Sequence, residues 1–209
     1  MRTLIITPCD GELPVAAASP AHVQTSSNSS QEVSACPVVE TCCGAHHYLV
    51  REGVEAVWQR WGRELLDWAI LSGDHGLLHA YEVVIPGEPK EDSSDTAGAA
   101  GWGGGLSIHE QANVLVGEYD LAFYLLSGRH LVALGLPLRL SESVRQIVLT
   151  DEDSLFLVPP LPNYHPFVAD GWVAARRWHV KAPQVRGFLF KRLCGRVVHH
   201  GPAVLEWLY

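Results

Sequence analysis

The sequence predicts a single α/β domain with a mostly parallel sheet flanked by helices, and three observations predict it. Short apolar runs rich in β-branched residues recur along the chain, beginning with "TLIIT" (3–7), "DWAILS" (67–72) and "DLAFYLLS" (120–127). Segments with apolar residues at helical spacing lie between and after them, and strands alternating with helices imply parallel pairing with both sheet faces covered. The length of 209 residues and the hydrophobic fraction of 47% suit one well-filled core rather than two.

The elements follow in order. Residues 3–7 read as a strand buried on both faces. Residues 11–45 are rich in Ala, Ser and Pro, so a mobile insertion is expected over about 16–45. Over 46–66, Leu49, Val54, Val57, Trp58, Trp61 and Leu65 fall near one helical face, with Arg51, Glu52, Glu55, Arg60 and Glu64 largely opposite. The second strand is 67–72. A second insertion is expected over about 86–105, whose tail is too glycine-rich and polar to pack. "SIHEQANVLVG" (107–117) reads as a helix and 120–127 as the third strand. Residues 145–150 and 154–161 read as later strands, the last ended by its prolines. The stretch 184–201 reads as a cationic amphipathic helix with Phe188, Leu189, Leu193 and Val197 inward.

Charge and cysteine content narrow the function. A net charge of −8 argues against a protein that coats DNA through one general basic surface. Five cysteines, an odd number, do not make a disulfide framework, and the opening residues hold too short an apolar run for a signal peptide. A cytoplasmic chain is expected. The most apolar stretch, 121–140, is broken by Ser127, Gly128, Arg129, His130 and Pro137, so no membrane span is expected.

The chemistry-bearing residues gather at strand ends. "AILSGDHGLL" (69–78) and "FYLLSGRHLVAL" (123–134) are built alike, each an apolar run ending in Leu-Ser-Gly, then two polar residues with His second. If the first three strands are parallel, Cys9 and Asp10, then Ser72, Gly73, Asp74, His75 and Gly76, then Ser127, Gly128, Arg129 and His130 emerge on one sheet edge. Open α/β sheets bind ligands at that edge. Small residues there admit a ligand to the backbone, and helix N-termini favour anions. Cys9 is a candidate nucleophile with His75 or His130 as its base, and Asp74 or Asp10 a candidate carboxylate for activating water. Ordinary turn chemistry accounts for each Ser-Gly equally well when taken alone, and a buried structural thiol accounts for Cys9.

Other constellations carry less. No Gly-x-Gly-x-x-Gly or Walker phosphate loop is present, so no cofactor is expected. Cys36, Cys42, Cys43, His46 and His47 lack the paired C-x2-C knuckle of a zinc site, and no metal is expected. Residues 171–209 hold seven Lys or Arg against one acid, interleaved with Trp172, Trp178 and Phe188, a pattern suited to a phosphate backbone or to a solvated helix face.

The blocks "LIITPC", "HHYLVREGVEAVWQRWG", "DWAILSGDHGLL" leading to "YEVVIPGE", "YDLAFYLLSGRHLVAL" and "VRGFLFKRL" together resemble the YaaA-related group of bacterial and phage proteins, in its largely uncharacterised branch. The resemblance spans nearly the whole chain. It implies a link to nucleic-acid or modified-nucleobase metabolism, and it puts Cys9, Ser72, Gly76, Ser127 and Arg186 on motif positions. His75 stands where a tyrosine is common, Asp10 replaces a small or polar residue, and the two inserts depart from the pattern. The expected function is a strand-end pocket for a nucleotide or nucleic-acid component. The alternatives are a non-catalytic nucleic-acid-binding module using 171–209, and an interaction subunit with a protein partner.

Overall fold

The computed structural model describes residues 1–9, 36–41, 44–72, 76–84, 107–136, 138, 140, 143–150, 164–168 and 184–207. In chain order the elements are β1 (Thr3–Pro8), β2 (Cys36–Pro37), α1 (Val38–Thr41), α2 (Ala45–Trp61), β3 (Leu66–Ser72), β4 (Gly76–His79), β5 (Val83–Val84), α3 (Ile108–Val116), β6 (Leu121–Tyr124), α4 (Gly128–Leu134), β7 (Arg145–Thr150), β8 (Tyr164–Val168) and α5 (Val185–His200). A 3-10 turn, Pro202–Trp207, follows.

Six strands form one sheet in the order β4-β3-β1-β6-β7-β8. All neighbouring pairs are parallel except β3 with β4. The fold is the mostly parallel α/β sheet with helices that the alternation of strands and helices implies. Register places Pro8 beside Leu71 and Ile6 beside Tyr124, so β1, β3 and β6 end on one edge.

Alternation along β1 divides the core. Ile5 faces a cluster with Val50, Val54 and Val57 of α2, Trp68 and Ile70 of β3, and Phe190, Cys194 and Val197 of α5. Leu4 and Ile6 face the other cluster, with Ile108, Ala112 and Val116 of α3 and Leu131 and Leu134 of α4. A strand buried on both faces therefore reads as an unbroken apolar run. Each large side chain fully buried here, such as Trp68, Phe123 or Phe190, contributes about 1.5–3 kcal/mol by leaving water. One polar pair crosses the second cluster, with the Tyr124 hydroxyl donating to Gln146 Oε1 at 2.9 Å.

Local chemistry sets the helix ends. Ser107 caps α3 through a reciprocal pair, its hydroxyl accepting from the Glu110 amide while its own amide donates to the Glu110 carboxylate at 2.7 Å. Helix α2 stops at Trp61, short of the expected 66, because Leu66 already enters β3.

The structure corrects several expectations. The first expected insertion is shorter at its C-terminal side, since Cys36–Pro37 pairs antiparallel with Val83–Val84 and Val38–Thr41 is helical. The inward face of α5 carries Val185, Gly187, Phe190, Cys194 and Val197. Phe188 and Leu189, expected inside, are half-buried. The inward face of α2 is likewise rotated, to His46, His47, Val50, Gly53, Val54 and Val57. Strand β8 lies beyond the run expected as the last strand, 154–161, which falls outside the described residues, as do residues 86–105.

Candidate functional site

The two look-alike turns begin on the same edge and then diverge. After Ser72 the chain reverses into the edge strand β4, with Ser72 paired to Gly76. Gly76 has φ +91°, a conformation strained for any residue with a Cβ, so its place is set by the hairpin. After Ser127 the chain opens α4 at Gly128 and Arg129. Ser127 does not cap that helix, for its hydroxyl lies 2.7 Å from His130 Nδ1 instead. Such a pair can pass a hydroxyl proton to the imidazole.

Cys9 follows the end of β1, its amide donating to the Leu71 carbonyl at 2.9 Å. The thiol is held in a disulfide, while Cys194 is a free, buried cysteine. This corrects the reading of Cys9 as a nucleophile: an intact disulfide leaves no thiolate there. Asp10, Gly73, Asp74 and His75 lie outside the described residues.

Helix α5 supplies the cation. Val185 and Gly187 are buried, and Arg186 between them turns its guanidinium to the sheet edge, where Nη1 donates to the Leu126 carbonyl at 3.1 Å. That carbonyl lies just past the end of β6, one residue before Ser127. Arg186 therefore joins the strand-end residues through a geometric link to β6.

Two histidines of α2 belong to the same region, and the sequence reading weighed them only as zinc ligands. His46 is 5% exposed and His47 4% exposed. His47 donates from Nε2 to the Val39 carbonyl at 3.2 Å, and its ring lies 4.8 Å from that of Trp68. Trp68 in turn donates to Thr7 Oγ1 at 2.9 Å. His46 differs, because neither ring nitrogen has a hydrogen-bond partner among the described residues. Burial first, then the Arg186 guanidinium and His47, hold its pKa down to about 3. His47 is held near 4 by burial, against the opposing pull of its Val39 bond. Both imidazoles are neutral at pH 7.

Strand alternation puts Ser72, 3% exposed, on the face of Trp68 and Ile70. The α2 and α5 side of the sheet is thus apolar along most of its length and turns polar at the carboxyl ends, through Thr7, Ser72, His46, His47 and Arg186. Apolar periodicity could not find the histidines, since a helical pattern scores them as breaks in the stripe. Their adjacency to "LIITPC"-type strand ends becomes visible only once α2 is docked.

A cavity of about 520 Å³ opens at the opposite edge, lined by residues including Arg2, Trp61, Arg63, Asp67 and Tyr119. Several of its polar groups contact one another. Tyr119 donates to Asp67 Oδ2 at 2.6 Å, the Trp68 amide donates to Oδ1 at 2.9 Å, and the Arg2 guanidinium lies 4.6 Å from the centroid of the Tyr119 ring. At the carboxyl ends, by contrast, both ring nitrogens of His46 and Nδ1 of His47 are buried without a hydrogen-bond partner among the described residues.

No three side chains of metal-ligating type cluster among the described residues, and no described helix is long and apolar enough to cross a membrane. Comparison of the chain with family models, with curated proteins and with solved structures finds no match.

Proposed function

We propose that the carboxyl edge of the sheet binds a nucleotide or nucleic-acid component, in keeping with the YaaA-related motifs and with a role in nucleobase or nucleic-acid metabolism. The observation that carries this reading is the Arg186 guanidinium, anchored 3.1 Å from the Leu126 carbonyl where β6 ends. A parallel sheet offers its ligand crevice at that edge, and a planar guanidinium suits a phosphate oxyanion. Ser127 and His130 supply a hydroxyl and an imidazole 2.7 Å apart next to it.

Reading 171–209 as one nucleic-acid-binding face has less support. Arg186 turns inward to the sheet, and Lys191 is paired with Glu52 at 2.7 Å. A role as an assembly subunit also has less support, since among the described residues the exposed apolar side chains Met1, Tyr48, Trp61, Val83, Val114 and Val132 fall on several elements.

The test is a thermal-shift screen of the purified chain against nucleobases, nucleosides, nucleotides and short single-stranded oligonucleotides, in wild type and Arg186→Gln. A ligand that binds the folded state raises Tm by mass action. A nucleotide-dependent rise lost in Arg186→Gln is the expected result. A rise equal in both proteins, or none in either, overturns the proposal.

A further inference from the structure

We infer that His46 is a ligand-contacting residue of the carboxyl-edge site, forming with Arg186 a two-pronged seat for a phosphate-type oxyanion. The inference rests on the strand-end reading and adds to it a residue and a ligand group. Helix α2 buries His46 until 5% of it remains exposed, and neither ring nitrogen meets a hydrogen-bond partner among the described residues. Buried polar side-chain atoms nearly always find one, and leaving a donor and an acceptor unmet is costly. A phenylalanine or leucine at this position would avoid that cost. A histidine is explained by a partner that arrives with the ligand.

The surroundings specify that partner. Position 187 has no side chain, and a Cβ there would lie 2.9 Å from His46 Nδ1. The imidazole is thereby packed against α5 at the residue next to Arg186. The guanidinium stands close enough to act electrostatically on the ring, and it reaches the end of β6. The imidazole, held neutral by burial and by that guanidinium, offers a compact N–H donor to the same oxyanion. A phosphate oxygen accepting from the imidazole while another accepts from Arg186 would satisfy the orphaned donor.

The experiment titrates the full chain with inorganic phosphate and, separately, with adenosine 5′-monophosphate by calorimetry, in wild type, His46→Phe, His46→Gln and Arg186→Gln. The expected result is affinity at least tenfold weaker in His46→Phe, partial recovery in His46→Gln, and an unfolding midpoint in His46→Phe no lower than in wild type. The two probes separate a seat for free phosphate from one that needs the nucleoside. Unchanged affinity in His46→Phe with loss in Arg186→Gln overturns the inference and leaves the strand-end reading standing. No binding of either probe by wild type overturns both. Should His46→Phe fail to fold, the wild-type imidazole nitrogen resonances decide: a shift on adding the probe supports the contact, and unmoved resonances overturn it.

Discussion

Gly187 of α5 lies directly against His46 of α2, so that a Cβ at 187 would stand 2.8 Å from the His46 carbonyl oxygen and 2.9 Å from its Nδ1. The closeness of these two helices, which brings Arg186 and His46 into one region, depends on that missing side chain. Gly187→Ala is expected to cost roughly 1–3 kcal/mol of stability through overpacking and to weaken ligand binding by displacing the imidazole. Gly195→Ala on the same helix is the control. A Cβ there meets nothing within 4 Å, and replacing a helical glycine stabilises by roughly 0.5–1 kcal/mol. Denaturant unfolding of both variants checks the contrast.

The two buried histidines predict acid sensitivity. Their folded pKa values, about 3 for His46 and about 4 for His47, lie below the ordinary 6.5. The unfolded chain therefore binds more protons below pH 6.5, and stability falls as pH drops from there toward the folded values. Each group approaches a loss of about 1.4 kcal/mol per pH unit only well below pH 6.5, so the pair costs roughly 2 kcal/mol between pH 6.5 and 5.5. Unfolding midpoints at those two pH values test this, and His46→Phe should halve the slope.

Asp67 and His79 predict the opposite behaviour at the other edge. Hydrogen bonding to His79 leads the causes that hold Asp67 near 2, and the same contact, 3.7 Å between Nδ1 and Oδ1, raises the pKa of His79. The depressed carboxylate stabilises above its unfolded pKa, and this is lost as pH falls toward 2. The raised histidine stabilises below its unfolded pKa, and this is lost as pH rises through the folded value. The pair thus helps most between the unfolded pKa values of Asp and His, about 4 and 6.5, and solvent screening keeps it small, since both side chains are more than a third exposed. NMR titration should show the His79 pKa above 6.5 and returning toward it in Asp67→Asn.

The Cys9 disulfide predicts a redox effect on the site. Cys9 follows β1, between the ends of β3 and β6, so reduction is expected to loosen the edge where Arg186 docks. Ligand affinity measured with and without a reductant should fall severalfold on reduction. Thiol labelling should report Cys9 only in the reduced protein, with buried Cys194 slow in both states.

The sheet was legible because its central strands are buried on both faces and read as unbroken apolar runs: β1, β3, β6 and β7 fall where "TLIIT", "DWAILS", "DLAFYLLS" and "RQIVLT" stand. The shared carboxyl edge followed from parallel pairing. Strand β4 was hidden because "GLLH" is too short to show a period, and its pairing is a tertiary choice made by the hairpin at Gly76. The inward phases of α2 and α5 were misjudged because small and polar residues, His46, His47, Gly53 and Gly187, take core positions where two helices approach closely. Arg186 was singled out only by the resemblance and His46 only among possible zinc ligands, since a buried imidazole beside a cation has no signature in one dimension.

The most direct test of the strand-end account is a two-dimensional amide NMR titration of the full chain with adenosine 5′-monophosphate. The account predicts shifts centred on Ser72, Ser127, His130, Arg186 and Gly187. Shifts confined to Arg192 and Arg196 on the exposed side of α5, or to Arg2, Asp67 and Tyr119 at the opposite edge, would contradict it.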